Sequence, residues 1–321
     1  MFIPFKRYDI VGGPSTFMRN LKTYFDDVGY KYKSDISKSK HIFFPISYDL
    51  AFLKKIKKDK GAIIQRLDGI YYPQKHGASY QEKNKLIKDI YLNYATKVVF
   101  QSQYSKAQCF KLFGEKDTDD YEIIINGVNE AIFYPSNILT KSPKTFKFVT
   151  TGNFRNLDML EPVIKALDAI SKFDFELNII GPIVNEDLHD LINRDYINHL
   201  GNKDSHQIAA LLREHHIFMY SHLNPPCPNS VLEAIASGLP VVGFNSGSMS
   251  ELLHFSQNLL AEVSDDVFQK YEDFSADALK EKIIYCMTHF EKIKEVSLVN
   301  ASNYSFKHCG KQYQKIFQNI G

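Results

Sequence analysis

Residues 204–253 read DSHQIAALLREHHIFMYSHLNPPCPNSVLEAIASGLPVVGFNSGSMSELL, and this stretch decides the fold class. It opens on a helical pattern, expected over Asp204–Arg213, with Ile208, Leu211 and Leu212 at helical spacing. Ile217–Tyr220 (IFMY) follows without polar alternation, as in a strand covered on both faces. The loop SHLNPPCPN then leads into a second helix, Ser230–Ala236. A second apolar strand, Val241–Phe244, ends in the Gly/Ser turn at 245–248, and Glu251 begins a further helix. Strand, helix and strand of these lengths form a βαβ unit, so the sheet they build is parallel.

The same alternation extends towards both ends of the chain. Strands are expected at Ile42–Ile46, Ala62–Gln65, Lys97–Gln101, Glu122–Ile125, Lys147–Thr151 and Glu176–Ile180. Helices are expected at Phe17–Val28, Glu82–Ala95, Ser105–Phe113 and Leu160–Ser171. The segment 134–145 (YPSNILTKSPKT) holds two prolines among turn-forming polar residues, so it reads as a boundary. The expected organisation is a first domain over 1–135, a linker over 136–145, a second domain over 146–300 and a tail over 301–321. Tyr304, Phe306, Tyr313, Ile316 and Phe317 recur at helical spacing in that tail, which predicts a helix docked on a domain.

Composition narrows the function classes. A hydrophobic fraction of 44% and a charged fraction of 24% are those of a folded domain protein. The sequence has no apolar run of transmembrane length and no secretion signal at its start, and its four cysteines (109, 227, 286, 309) lack metal-ligand spacing. The expectation is a cytoplasmic protein with reduced thiols. Net charge is +2, yet residues 1–135 carry 22 Lys and Arg against 15 Asp and Glu, an excess the remainder offsets. Nucleic acid is not the expected partner, because the excess is mild and no recognition motif accompanies it. The run Lys54-Lys55-Ile56-Lys57-Lys58 reads as a solvated helix face, with peripheral contact to the inner face of a membrane, or to an acidic acceptor, as the alternative.

The physical logic of 204–253 is that of a nucleotide pocket. Asn229-Ser230 reads as a helix N-cap pair, and the helix start offers amides and partial positive charge to a diphosphate. Glu233, one turn in, can accept hydrogen bonds from ribose hydroxyls. The turn around Gly247 returns further amides to the same mouth, at the carboxyl ends of the strands. In the first domain QRLDGIYY (65–72) follows a strand, and the Asp68-Gly69 turn turns Arg66 and Asp68 towards a cleft.

The segment resembles the second domain of the retaining, family 4 (group 1) glycosyltransferases of GT-B fold, in which two Rossmann-like doubly wound domains face each other across a cleft. Glu233, Ser237-Gly238-Leu239-Pro240-Val241-Val242, Gly247 and Glu251 fit that family's pattern. Gly12-Gly13 followed by STFMRNL is similar to its first loop and helix, and VVFQSQYSKAQ (98–108) to its strand–Ser–helix segment. NGVNEAIFYP (126–135), FVTTGNF (148–154) and LNIIGP (177–182) resemble further units in the same order.

The resemblance implies transfer of a sugar from a nucleoside-diphosphate sugar, with retention, to a glycan, lipid-linked or small-molecule acceptor. The donor is a substrate, and no cofactor or metal is implied. The site residues carried over are Arg155 as a catalytic diphosphate clamp, and Glu233, Asn229, Ser230, Val231, Gly152, Gly181, Gly247 and Glu251 around the donor. Gly12 and Gly13 form the acceptor or phosphate loop, and Arg66 and Asp68 are the other catalytic candidates. Two positions depart from the pattern. The first glutamate of the family's pair falls on Pro225, and the clamp lysine three residues after Arg155 falls on Asp158. Both favour the competing reading of a non-catalytic sugar-nucleotide-binding pseudoenzyme or subunit. An epimerase of the same architecture needs acids poised for elimination, and a nicotinamide dehydrogenase lacks its Gly-x-Gly-x-x-Gly. Oligomeric state stays open.

Overall fold

The structure is a computed structural model that describes residues 1–8, 13–135 and 141–320. Residues 136–140 of the expected linker lie outside it. The chain divides into two compact units, Met1–Gly127 with Ser305–Gly321, and Val128–Tyr304. The second unit thus begins ahead of the 134–145 segment where the sequence places the boundary.

The first unit holds a four-stranded parallel sheet, β1 (Ile42–Pro45), β2 (Ile63–Leu67), β3 (Lys97–Phe100) and β4 (Tyr121–Ile123), in that spatial order. Ile42 is level with Ile63, and Val98 with Tyr121. β1 and β2 are buried along their whole length, as expected of strands covered on both faces. The tail is a helix, Phe306–Ile320, and it belongs to this unit. Tyr313 and Phe317 pack their rings against Phe43 at 5.4 and 5.1 Å. The bare Cα of Gly310 lets the helix approach the Tyr24 ring, which a Cβ would meet at 2.5 Å.

The second unit holds six parallel strands: β5 (Thr145–Thr151), β6 (Asp174–Ile180), β7 (Ile197–Gly201), β8 (Ile217–Tyr220), β9 (Val241–Phe244) and β10 (Leu260–Ala261). Their spatial order is β10-β9-β8-β5-β6-β7. The chain therefore winds outward from β5 in one direction through β6 and β7, then returns to β5's other edge and winds the opposite way. The reversal point, where open α/β sheets bind ligands at their carboxyl ends, lies between β5 and β8. The core beneath it joins Phe148, Leu177, Ile217 and Val242 to the helices Glu161–Asp168 and Ala276–Thr288. The helix Ser205–Glu214 starts in a capping box. Asp204 Oδ1 accepts the Gln207 amide at 2.9 Å, and Gln207 Oε1 accepts the Asp204 amide at 3.0 Å. His215 and His216, next in sequence, are buried against β5 and β6: His216 Nδ1 accepts the Lys147 amide, and His215 Nε2 lies 2.6 Å from Asn178 Nδ2.

Candidate functional site

Beyond the carboxyl ends of β5 and β8 the chain runs into two loops, 152–158 and 221–228. Gly152 lies against His222, whose ring a Cβ at 152 would meet at 3.3 Å. The His222 ring stacks on Tyr220 at 4.4 Å and meets the edge of Phe154 at 6.3 Å. Gly181, after β6, has a φ of 120° and approaches Gly152 so closely that any Cβ would collide with the Gly152 carbonyl. Glycine at 181 therefore allows the two strand ends to sit side by side. Asn153 and Arg155 are exposed, and the Arg155 guanidinium has no partner among the described residues.

The helix after the second loop is Asn229–Ala236. Pro228 is its N-cap, so the expected N-cap position of Asn229-Ser230 is corrected: Asn229 is already the first helical residue. A proline fits there because its φ is fixed and it has no N–H to satisfy. Val231 donates its amide to Pro228 O at 3.2 Å, and its side chain is buried. Glu233 is only partly exposed, and protein surrounds its carboxyl group, pushing it up to about 8 by desolvation. No hydrogen bond or ion pair of that carboxyl group exists among the described residues. Gly247 takes a φ of 64° and lies against Pro225, and Glu251 sits in the short helix Met249–Leu252 beyond it.

Asp158 forms no ion pair with Arg155. It is buried, and its Oδ2 accepts the Leu223 amide at 3.0 Å. The position at which the resemblance places a clamp lysine thus ties the first loop to the second.

In the first unit the expectation that Arg66 turns towards a cleft is overturned. Arg66 is 1% exposed, because β2 is buried on both faces. Its guanidinium lies 3.7 Å from the centre of the Phe17 ring, donates from Nε to the Tyr313 hydroxyl at 3.1 Å and from Nη2 to Asn126 Oδ1 at 2.6 Å, and pairs with Asp68. A buried guanidinium is tolerable only when paired and hydrogen-bonded in this way. Asp68 Oδ1 also accepts from Gln101 Nε2 at 2.8 Å, whereas Oδ2 is buried with no partner among the described residues. Gly12 lies outside the described residues. Gly13 is exposed at the start of the helix Gly13–Asp27, with open space where a Cβ would stand.

Residues 145–288, the greater part of the second unit, match the family of glycosyl transferases group 1. The second unit carries a glycosyltransferase domain. No curated protein matches the chain in sequence. Among solved structures, the chain is similar to sucrose-phosphate synthase from Thermosynechococcus elongatus, with 14% identity over 95% of this chain and 78% of that one and a TM-score of 0.69. Anabaena HepE in complex with UDP matches at 15% identity over 95% and 82%, with a TM-score of 0.68. WaaG, a glycosyltransferase involved in lipopolysaccharide biosynthesis, matches at 12% identity over 98% of each chain, with a TM-score of 0.69. These likenesses establish the GT-B fold, two parallel-sheet α/β domains, for the whole chain.

Within the glycosyltransferase domain, the chain after β5, β6 and β8 brings Gly152, Gly181 and His222 together. Arg155 lies in the first loop, and Asn229 to Glu233 follow the second. His222 escaped the sequence reading, although its place just after an apolar strand was the available signal. Among the described residues no cluster of three or more His, Cys, Asp or Glu is arranged to hold a metal ion. No helix of the described residues is long and apolar enough to cross a membrane.

Proposed function

We propose that the chain transfers a sugar from a nucleoside-diphosphate sugar, with the donor held at the reversal point of the second unit's sheet. The observation that carries this is Glu233: a carboxyl group without a partner among the described residues, raised by burial, one turn into the helix that follows the reversal-point loop. A group left in that condition is best satisfied by a ligand with vicinal hydroxyls, such as ribose. The amides of Asn229 and Ser230 and the guanidinium of Arg155 then meet the diphosphate, whose negative charge grows as the glycosidic bond breaks. UDP or UDP-glucose in the HepE structures supports the donor class.

The bond from the anomeric carbon to the donor phosphate oxygen breaks, and the acceptor oxygen takes that carbon on the same face. The acceptor proton passes to the departing phosphate oxygen. Retention is thereby proposed, and the helix amides and Arg155 supply the charge stabilisation without a metal. Acceptor recognition falls to the first unit. The lysine-rich face of that unit is proposed to rest on an anionic membrane surface.

The experiment is a thermal-shift screen against UDP-, GDP- and ADP-sugars, followed by NMR of the anomeric product. A ligand at a hundred times its Kd stabilises by about 2.7 kcal/mol. Melting unmoved by every nucleotide sugar sinks the reading. Binding without turnover favours the non-catalytic alternative, for which the proline at 225 is the specific support.

A further inference from the structure

The two departures from the family pattern, Asp158 and Pro225, meet in one hydrogen-bonded brace. Three consecutive residues of the loop after β8 are held by the loop after β5, the turn after β9 and Gln269. Leu223 donates its amide to Asp158 Oδ2 at 3.0 Å, which ties it to the loop after β5. Asn224 donates its amide to Ser246 Oγ at 2.9 Å, after β9. Its side chain donates from Nδ2 to Gln269 O at 2.9 Å and accepts the Gln269 amide on Oδ1 at 3.1 Å. Pro225 O accepts the Ser248 amide at 2.9 Å, and Ser246 Oγ donates to Gln269 Oε1 at 2.7 Å.

Asn224 has a φ of 53°, one of only three non-glycine residues at positive φ among those described. Such a conformation persists where the surroundings over-determine it, and it gathers at ligand-binding loops. Pro225, Pro226 and Pro228 restrict the rest of the loop up to the first turn of the helix bearing Glu233. The carboxylate of Asp158 is engaged by a backbone amide at the position where the related pattern offers a cation.

We propose that Asp158 and Asn224 are positioning residues of the donor site, holding residues 223–225 so that the helix start at Asn229 and Ser230 is set before a nucleotide arrives. This rests on the donor site proposed above and deepens it. A rigid, acid-free loop replaces a side-chain contact to the sugar, and Arg155 is left as the side-chain cation of that loop pair. Preorganisation of this kind lowers the ordering cost of binding.

The test uses the full chain, with UDP, GDP and ADP and their glucose conjugates as probes, by calorimetry and by hydrogen exchange. Asp158→Ala is expected to weaken binding of the preferred nucleotide at least tenfold and to speed exchange of the Leu223 amide. Asp158→Asn keeps a carbonyl oxygen for that amide and is expected to recover most of the affinity that alanine loses. Asn224→Gly relieves the backbone but deletes both side-chain bonds to Gln269, and is expected to weaken binding likewise. It carries the test on its own should Asp158→Ala fail to fold. Wild-type protein that binds none of the probes overturns the donor site itself. Wild-type binding that Asp158→Ala and Asn224→Gly leave unchanged overturns only the positioning role. Equal losses in Asp158→Ala and Asp158→Asn, with unchanged Leu223 exchange, also overturn it.

Discussion

A carboxyl group whose pKa is pushed up to about 8 is mostly protonated at neutral pH, and that sets what Glu233 does before a ligand arrives. Two hydroxyls that both donate to it need the ionised form. Nucleotide affinity is therefore expected to tighten as pH rises from 7 towards 9 in the wild type, and to stay flat in Glu233→Gln. Glu233→Ala is expected to cost about 1–3 kcal/mol of nucleotide binding. Unchanged affinity in a calorimeter removes the assignment. The same shift has a stability consequence. A carboxyl pKa raised on folding contributes stability that is full below its unfolded value and lost as pH rises through about 8. The melting temperature of the wild type relative to Glu233→Gln should therefore fall across that window. Arg66 belongs to a different class. Arg66→Ala strands Asp68 in the core and is expected to cost about 3–5 kcal/mol in denaturant unfolding. Normal stability with lost turnover would return Arg66 to the catalytic candidates.

At the scale of elements, the helix Asn229–Ala236 is fixed at its far end by a buried amine. Lys294 Nζ donates to Gly238 O at 2.7 Å, just past the helix terminus, and burial pushes its pKa down to about 8. A lysine depressed on folding contributes stability that is present above its unfolded value and lost as pH falls towards about 8. Lys294→Met removes that term. The melting temperature of Lys294→Met relative to wild type should rise as pH falls from 10.5 to 8 and level off below. A difference that does not move with pH in that interval removes the buried amine as its source. The strands and helices around this site were largely legible, because β8 and β9 are apolar runs, β5 is rich in β-branched and aromatic residues, and Glu233 and Gly247 keep their spacing. β7 and β10 were not. β7 is an edge strand carrying exposed Asn198 and His199, and β10 has two residues. The helices Ala276–Thr288 and Phe290–Val299 follow one another with no Gly or Pro to mark a turn. Arg66 was misplaced because its partners, Asn126 and Tyr313, lie 60 and 247 residues away. The Asp158 bond to Leu223, spanning 65 residues, was illegible for the same reason.

Charge is the property of the whole molecule that the sugar-transfer reading does not use. Residues 31–60 carry nine lysines against three aspartates, so this tenth of the chain holds an excess of six positive charges in a protein of net +2. Their structure concentrates it. Lys54, Lys55 and Lys58 stand exposed on the helix Leu50–Lys58, and Phe52 beside them is 42% exposed. A groove of about 420 Å³ runs between that helix and Lys38 and Lys40, lined also by Asp59. Lysines around an exposed aromatic ring suit an interface with anionic headgroups, each basic residue contributing about 1 kcal/mol near the surface. Vesicles of phosphatidylcholine with phosphatidylglycerol should sediment the protein at low salt and release it at high salt, since the Debye length shrinks to about 3 Å at 1 M. Reversing Lys54, Lys55 and Lys58 to glutamate should abolish sedimentation while leaving nucleotide affinity intact, because Glu233 and Arg155 belong to the other unit. Binding to pure phosphatidylcholine equal to that on anionic vesicles, or sedimentation indifferent to the three reversals, rejects the charged face as a membrane contact.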